Sequence, residues 1–196
     1  MACRLVLPLK CLTRPLRPAV AIATLLASVP APAQESGPLP SSEPLRWAVE
    51  AGYGHSLKVN RGTSEENALL FVPSVNIRLG RRIEYSIEAH FAQYFTPSGY
   101  MLGVMPVGAR YFFSGGATLP YFSVGAGFGW TNLVELDEID RRFNFLLQAS
   151  AGVRHRVGTA REWTLEVRWD HISNAGTELP NLGLNSVVLL GGWRFR

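Results

Sequence analysis

A histidine and a serine two positions apart stand near the carboxyl end of the chain, in the run Asp170-His171-Ile172-Ser173-Asn174-Ala175-Gly176. A serine hydroxyl is too weakly acidic to attack an ester unaided. An imidazole that takes its proton makes it a nucleophile, so the pair offers ester hydrolysis. Residues two apart in an extended strand project to the same side. Leu165, Val167 and Trp169 share that parity, which places His171 and Ser173 on the apolar face of their strand. A base and a nucleophile on an oily face imply a substrate delivered from within a membrane. The competing reading is a polar strand end at a membrane interface, because catalytic groups are defined by geometry and not by nearness in sequence.

The strand that must carry this pair is the seventh of eight segments that alternate with period two. Trp47, Val49, Ala51 and Tyr53 share a face opposite Glu50. Leu69, Phe71, Val75, Ile77 and Leu79 oppose Ser74, Asn76 and Arg78, and Tyr85, Ile87, Ala89 and Phe91 oppose Glu84, Ser86, Glu88 and His90. Met105, Val107, Ala109, Tyr111 and Phe113 are expected on one face against Gly108 and Arg110. Phe122, Val124, Ala126, Phe128 and Trp130 face away from Ser123, Gly125, Gly127 and Gly129. Phe145, Leu147, Ala149, Ala151 and Val153 oppose Asn144, Gln148, Ser150, Arg154 and Arg156. In the last two segments Leu165, Val167 and Trp169 oppose Glu166, Arg168 and Asp170, and Val187, Leu189, Trp193 and Phe195 oppose Ser186 and Arg194.

An even number of alternating segments, near the ~9–11 residues a tilted strand needs to cross a bilayer, predicts an all-β fold: an eight-stranded antiparallel transmembrane β-barrel. The rival is a soluble β-sandwich. The polar set mixes acids and arginines and so could fill a narrow lumen with ion pairs, and glycines on that face suit an eight-stranded bore. Closure also removes the sheet edges that lipid cannot satisfy. Short turns are expected near Gly80-Arg81, Ser114 to Thr118 and Gly158 to Arg161. Longer loops at the opposite end are expected at His55 to Glu66, Phe95 to Tyr100, Thr131 to Arg141 and Asn174 to Leu184. That asymmetry orients the barrel with the His171 end outside the cell.

The amino end reads as an export signal. Arg4, Lys10, Arg14 and Arg17 accompany an apolar stretch, Ala19 to Val29, too short to span a bilayer, and Ala31-Pro32-Ala33 supplies a cleavage site. The expected organisation is a cleavable signal peptide over 1–33, a Pro/Ser/Glu-rich flexible leader over 34–45 and the barrel over 46–196. Cys3 and Cys11 both fall in the signal, so the exported chain has no thiol for a disulfide, a metal or a nucleophile. The net charge of +4 owes much to signal-peptide arginines, and no Lys/Arg run marks a nucleic-acid partner.

The longer run from His171 to Gly176, with Pro180-Asn181-x-Gly183-Leu184-Asn185 after it, resembles the C-terminal motif of the lipid A 3-O-deacylases of Gram-negative outer membranes. The resemblance implies an eight-stranded barrel in the cell outer membrane. It implies an enzyme that hydrolyses the 3-O-linked acyl chain of lipid A within lipopolysaccharide, among outer-membrane lipids and without a cofactor. It makes Ser173 the nucleophile and His171 the general base, with Asn174, Ala175, Gly176 and Asn181 shaping an oxyanion site. The family often has a glutamate where this chain has Asn185. Asn185 shares the outward parity of its strand and is placed to orient the imidazole, whereas Glu178 is the alternative carboxylate from the loop.

The remaining histidines read differently: His90 as a lumen residue, His55 as a loop residue and His155 as outward-facing near the periplasmic end. No His/Asp/Glu spacing calls for a metal. Glu135, Asp137, Glu138 and Asp140 read as a solvated acidic loop, and the Gly125–Gly129 run has no following helix to make a nucleotide loop. A non-catalytic small barrel serving envelope integrity or adhesion, and an esterase acting on phospholipid, are the alternative functions. Oligomeric state is open, a homodimer included.

Overall fold

The computed structural model describes residues 45–57, 65–113, 115–134, 136, 139, 141–157, 161–177, 179 and 181–195. The expected signal peptide, Glu178 and the acidic residues Glu135, Asp137, Glu138 and Asp140 lie outside the described residues. Eight strands follow in order: β1 (Leu45–Leu57), β2 (Asn67–Arg78), β3 (Ile83–Phe95), β4 (Ser98–Phe112), β5 (Thr118–Thr131), β6 (Phe143–Val157), β7 (Arg161–Ser173) and β8 (Leu184–Phe195). Each pairs antiparallel with the next, and β8 returns to β1, from Trp47 opposite Phe195 to Leu57 opposite Asn185. The predicted eight-stranded antiparallel barrel is the observed fold, and no sheet edge is left open.

Alternation then sorts the side chains. Trp47, Leu69, Phe91, Phe122, Leu147, Val167 and Leu189 all stand exposed on the outer wall. A continuous belt of this size is far beyond the few hundred Å² of apolar patch that a soluble monomer tolerates, and it fits hydrocarbon instead. No helix among the described residues is long and apolar enough to cross a membrane.

The interior is layered rather than uniformly ionic. Toward the lower end, where β8 finishes, Glu84 accepts two hydrogen bonds from Arg154, at 2.9 and 3.1 Å, and pairs with Arg194 Nη2 at 2.7 Å. Arg154 also lies over the Phe112 ring and Arg110 over Tyr121. At mid-height, fully buried Arg168 meets Glu166 at 2.7 Å, Glu88 at 3.0 Å and Glu50 at 3.7 Å. Above this layer the lumen turns apolar: Leu70, Met101, Met105, Leu146, Ile172, Leu184 and Val188 pack together, with Leu133 and Ile139 of the β5–β6 connection joining them. Ile172, whose side chain lies between those of His171 and Ser173 in sequence, is thus held inward by a packed core. That packing fixes the strand end on which the candidate pair sits.

Three expectations are corrected. Met105 was expected beside Val107 on the outer face, yet it is buried in the lumen while Val107 is exposed. The β4–β5 register shifts between Val104 and Val107, around Pro106. Proline cannot donate to a ladder and is accommodated where a bulge breaks it, and the extra residue reverses the parity. The expected loop from Phe95 to Tyr100 reduces to Thr96 and Pro97, with both flanks drawn into β3 and β4. His55, expected in a loop, lies in β1, paired with Asn67 of β2 and Val187 of β8, and points outward. Strands of 12 to 15 residues run past the hydrocarbon layer, so residues that read as loop from a bilayer-length strand are still in the ladder.

Candidate active site

His171 and Ser173 occupy the last turn of pleat in β7, and both lie on the outer wall, half-buried, between the inward residues Asp170, Ile172 and Asn174. Across β8, His171 stands opposite Asn185. The two side chains meet: His171 Nδ1 is 3.0 Å from Asn185 Oδ1. An amide oxygen can only accept, so Nδ1 carries the hydrogen and Nε2 keeps its lone pair for another proton. Asn185 is buried and therefore presents a fixed rather than a wandering partner.

Two further neighbours set the ring. Trp169, one pleat below on the same strand, stacks on the imidazole with centroids 5.7 Å apart and planes 17° from parallel. Gly183, with φ of +73°, faces the other edge: a Cβ built there would lie 2.6 Å from His171 Cε1 and 3.3 Å from Nε2. Any side chain at position 183 would collide with the imidazole. The ladder's last pair is Ile172 with Leu184. One step further, Gly183 falls opposite Ser173, so the missing side chain leaves a notch between the serine and the Nε2 edge. Among the described residues no hydrogen bond joins Ser173 Oγ to the ring. Catalytic hydrogen bonds in substrate-free enzymes are often long and close only on binding.

The segment after β7 is tied by Asn174. Its buried side chain accepts the Gly176 N–H at 2.8 Å, its carbonyl accepts Thr177 Oγ1 at 2.8 Å, and its own N–H donates to Asn181 Oδ1 at 3.2 Å. Ala175 and Gly176 follow with φ of +56° and +75°. Alanine in the left-handed region costs about 1 kcal/mol, so the tight turn is imposed by these bonds. The Gly176 N–H is thereby engaged, and Asn181 is tied to the same turn through its Oδ1.

The two flanks of β7 differ. On one, Ser173 pairs with Phe145 and an aromatic wall extends through Phe143, Phe128 and Trp130, with Phe143 centroids 5.4, 6.0 and 5.1 Å from those three neighbours in the order Phe145, Phe128, Trp130. On the other, β8 and β1 present Asn185, Val187 and, beyond them, His55. Sequence reading brought His171, Ser173 and Asn185 to one face through parity alone. Trp169 was read only as an apolar residue, and the fit of Gly183 against His171 depends on a pairing across the β7–β8 connection that parity does not reveal. His90 is buried in the lumen, and His155 lies outward near the lower end, bonded to Thr118 Oγ1 at 2.8 Å.

A closed barrel with an apolar outer wall defines an outer-membrane-type barrel, and on that wall it carries a hydrogen-bonded His–Asn pair and an outward serine. A family model described as lipid A 3-O-deacylase (PagL) matches residues 80–194, more than half of the chain, and the chain belongs to that family of carboxylic ester hydrolases. Among solved structures the chain is similar to the outer membrane enzyme PagL, with a TM-score of 0.63 and 19% identity over 76% of this chain and 99% of that one. It is also similar to Neisserial surface protein A, with a TM-score of 0.59 and 13% identity over 77% and 96% of the two chains. At such identities the likeness concerns the fold. No curated protein matches the chain in sequence.

Proposed function

We propose that this chain is an outer-membrane esterase that removes the 3-O-linked acyl chain of lipid A, with Ser173 as nucleophile, His171 as general base and Asn185 as the group that orients the imidazole. The bond from His171 Nδ1 to Asn185 Oδ1 carries the reading, because it fixes the tautomer that leaves Nε2 basic on the same face as Ser173. Ser173 Oγ attacks the ester carbonyl carbon while Nε2 takes its proton. The tetrahedral oxyanion collapses, the C–O bond to the sugar breaks, and the imidazolium returns the proton to the departing sugar oxygen. Water, activated by the same imidazole, then frees the fatty acid from Ser173. The aromatic wall beyond Phe145 favours placing the acyl chain toward β6 and β5, with the sugar toward β8 and β1. Asn181 Nδ2 is the proposed oxyanion donor. The site faces the leaflet, so the ester enters sideways and need not cross the lumen.

Asn185 holds the ring without offering it a charge. The Trp169 face at 5.7 Å supplies part of what a carboxylate would give the imidazolium. Asn185→Glu is therefore expected to raise kcat, by about tenfold, as an ionised partner strengthens the bond to the charged ring. Asn185→Ala is expected to lower kcat by one to two decades, roughly the cost of a mis-set imidazole. Steady-state deacylation of lipid A in detergent micelles reads both. Gly183→Ala is expected to cost about a hundredfold in kcat while the barrel stays folded, since the new methyl group displaces the ring by roughly an ångström; an unchanged kcat would remove Gly183 from the site.

The assignment of the nucleophile is tested by covalent capture. A long-chain alkyl fluorophosphonate, which bonds to an activated serine with loss of fluoride, is expected to label wild type on the peptide containing Ser173 and to leave Ser173→Ala unlabelled. Label on a different serine, or equal labelling of both proteins, contradicts the assignment.

A further inference from the structure

A second oriented histidine stands on the outer wall. His55 Nδ1 lies 2.8 Å from Asn67 Oδ1, and the same oxygen accepts Tyr53 Oη at 2.5 Å. Because that oxygen can only accept, His55 Nδ1 donates and Nε2 points away from the trio. The pattern repeats the one at His171. Tyrosine alone at this height would be an ordinary member of an interfacial aromatic girdle. A histidine and an asparagine among apolar neighbours are not, since polar groups facing lipid are unfavourable unless they are satisfied. The backbone ladders of β1 with β2 and β8 are complete without them.

The barrel's geometry places this trio next to the proposed esterase site. Across β8, His171 stands opposite Asn185 and then Leu57, and His55 is two residues below Leu57 on the same face. Followed round the barrel from Leu45 through Ile77, Tyr85, Ala109, Val124, Ala149, Trp169 and Val187, the register returns to β1 at His55, further along that strand, so the ladder climbs from β7 to β1. Strands about 4.8 Å apart and tilted by roughly 35–45° give a climb of about one pleat over that crossing, which returns His55 to the level of His171, roughly 12 Å around the wall. Val187 lies between them. The intervening surface is on the flank away from the aromatic wall, where the sugar of the substrate would lie.

We propose that His55, held by Asn67 and Tyr53, is a headgroup subsite that binds a phosphate monoester of the substrate through Nε2. This rests on the lipid A reading of the His171 site: lipid A is a glucosamine disaccharide bearing phosphates, so a phosphate lies within a disaccharide's length of the ester being cut. When the imidazole is protonated, Nε2–H donates to a phosphate oxygen while Nδ1–H stays on Asn67. The charge-assisted bond anchors the headgroup at one fixed distance from Ser173.

Binding to the full-length Ser173→Ala protein tests this without turnover. The probes are bisphosphorylated lipid A and the same lipid after enzymatic removal of its phosphates. The Ser173→Ala protein is expected to bind the phosphorylated lipid about tenfold more tightly, the scale of one partly exposed charge-assisted hydrogen bond. Adding His55→Ala is expected to abolish the preference, and adding Asn67→Leu, which keeps the imidazole but releases Nδ1, to reduce it. Equal binding of the two lipids, or a preference that survives His55→Ala, overturns the proposal. Because the assay detects no ester cleavage, failure of the esterase reading would leave this phosphate preference intact, and the two failures remain distinguishable.

Discussion

Replacing Ser173 with alanine is expected to lower the rate of lipid A deacylation by about four decades or more, without unfolding the barrel. The substitution removes one oxygen from a half-buried position on the outer wall. The strand end is held by Ile172 in the apolar lumen and by the pairing of Ser173 with Phe145, and neither contact involves the hydroxyl. Stability should therefore move by no more than about 0.5 kcal/mol. The rate falls because the proposed nucleophile is gone, and neither the Tyr53 hydroxyl beside His55 nor Thr118 Oγ1 beside His155 is next to His171. His171→Ala should cost about as much, and the double variant little more than either alone, because nucleophile and base act as a unit. Additive losses would mean that the two residues serve separate purposes.

Arg168→Leu is expected to destabilise the barrel by about 3–5 kcal/mol, because it strips the partner from carboxylates that stay buried. The arginine is fully buried and lies 2.7, 3.0 and 3.7 Å from Glu166, Glu88 and Glu50. Glu166 keeps Arg110 at 3.5 Å and the Tyr121 hydroxyl, Glu88 keeps the Gln148 amide and Glu50 the Thr164 hydroxyl, but among the described ion pairs no second cation replaces the one lost beside Glu88 and Glu50. Arg156 makes an instructive comparison. Its side chain is 46% exposed where it meets Glu162 at 3.5 Å. Arg156→Leu should cost less than about 1 kcal/mol, as solvent-exposed pairs do. Urea titration of the protein folded in lipid vesicles measures both, and similar values for the two would contradict a lumen stabilised by its buried ion pairs.

The barrel was legible because its physics is periodic. Glu84, Glu88, Arg154, Glu166, Arg168 and Arg194 could be placed inside from parity alone, since a strand between lipid and lumen has only two faces. The same rule brought His171, Ser173 and Asn185 together, because β7 and β8 are adjacent and each is regular. It failed where regularity failed. Pro106 shifts the β4 register and turns Met105 inward. The apolar upper lumen was hidden because Leu70, Leu146, Ile172 and Val188 occupy polar-parity positions singly and join only in three dimensions. The fit of Gly183 against His171 and the His55–Asn67 bond both depend on registers set across connections, which one sequence does not disclose.

Lipid A mass spectrometry of a lipopolysaccharide-bearing host tests the central claim most directly. Cells expressing the wild-type chain should yield lipid A lighter by one ester-linked acyl chain, lost from the 3-position, and cells expressing equal amounts of folded Ser173→Ala should yield lipid A like that of cells without either. Identical spectra from wild type and Ser173→Ala would contradict an outward-facing Ser173–His171 site as the source of the chemistry.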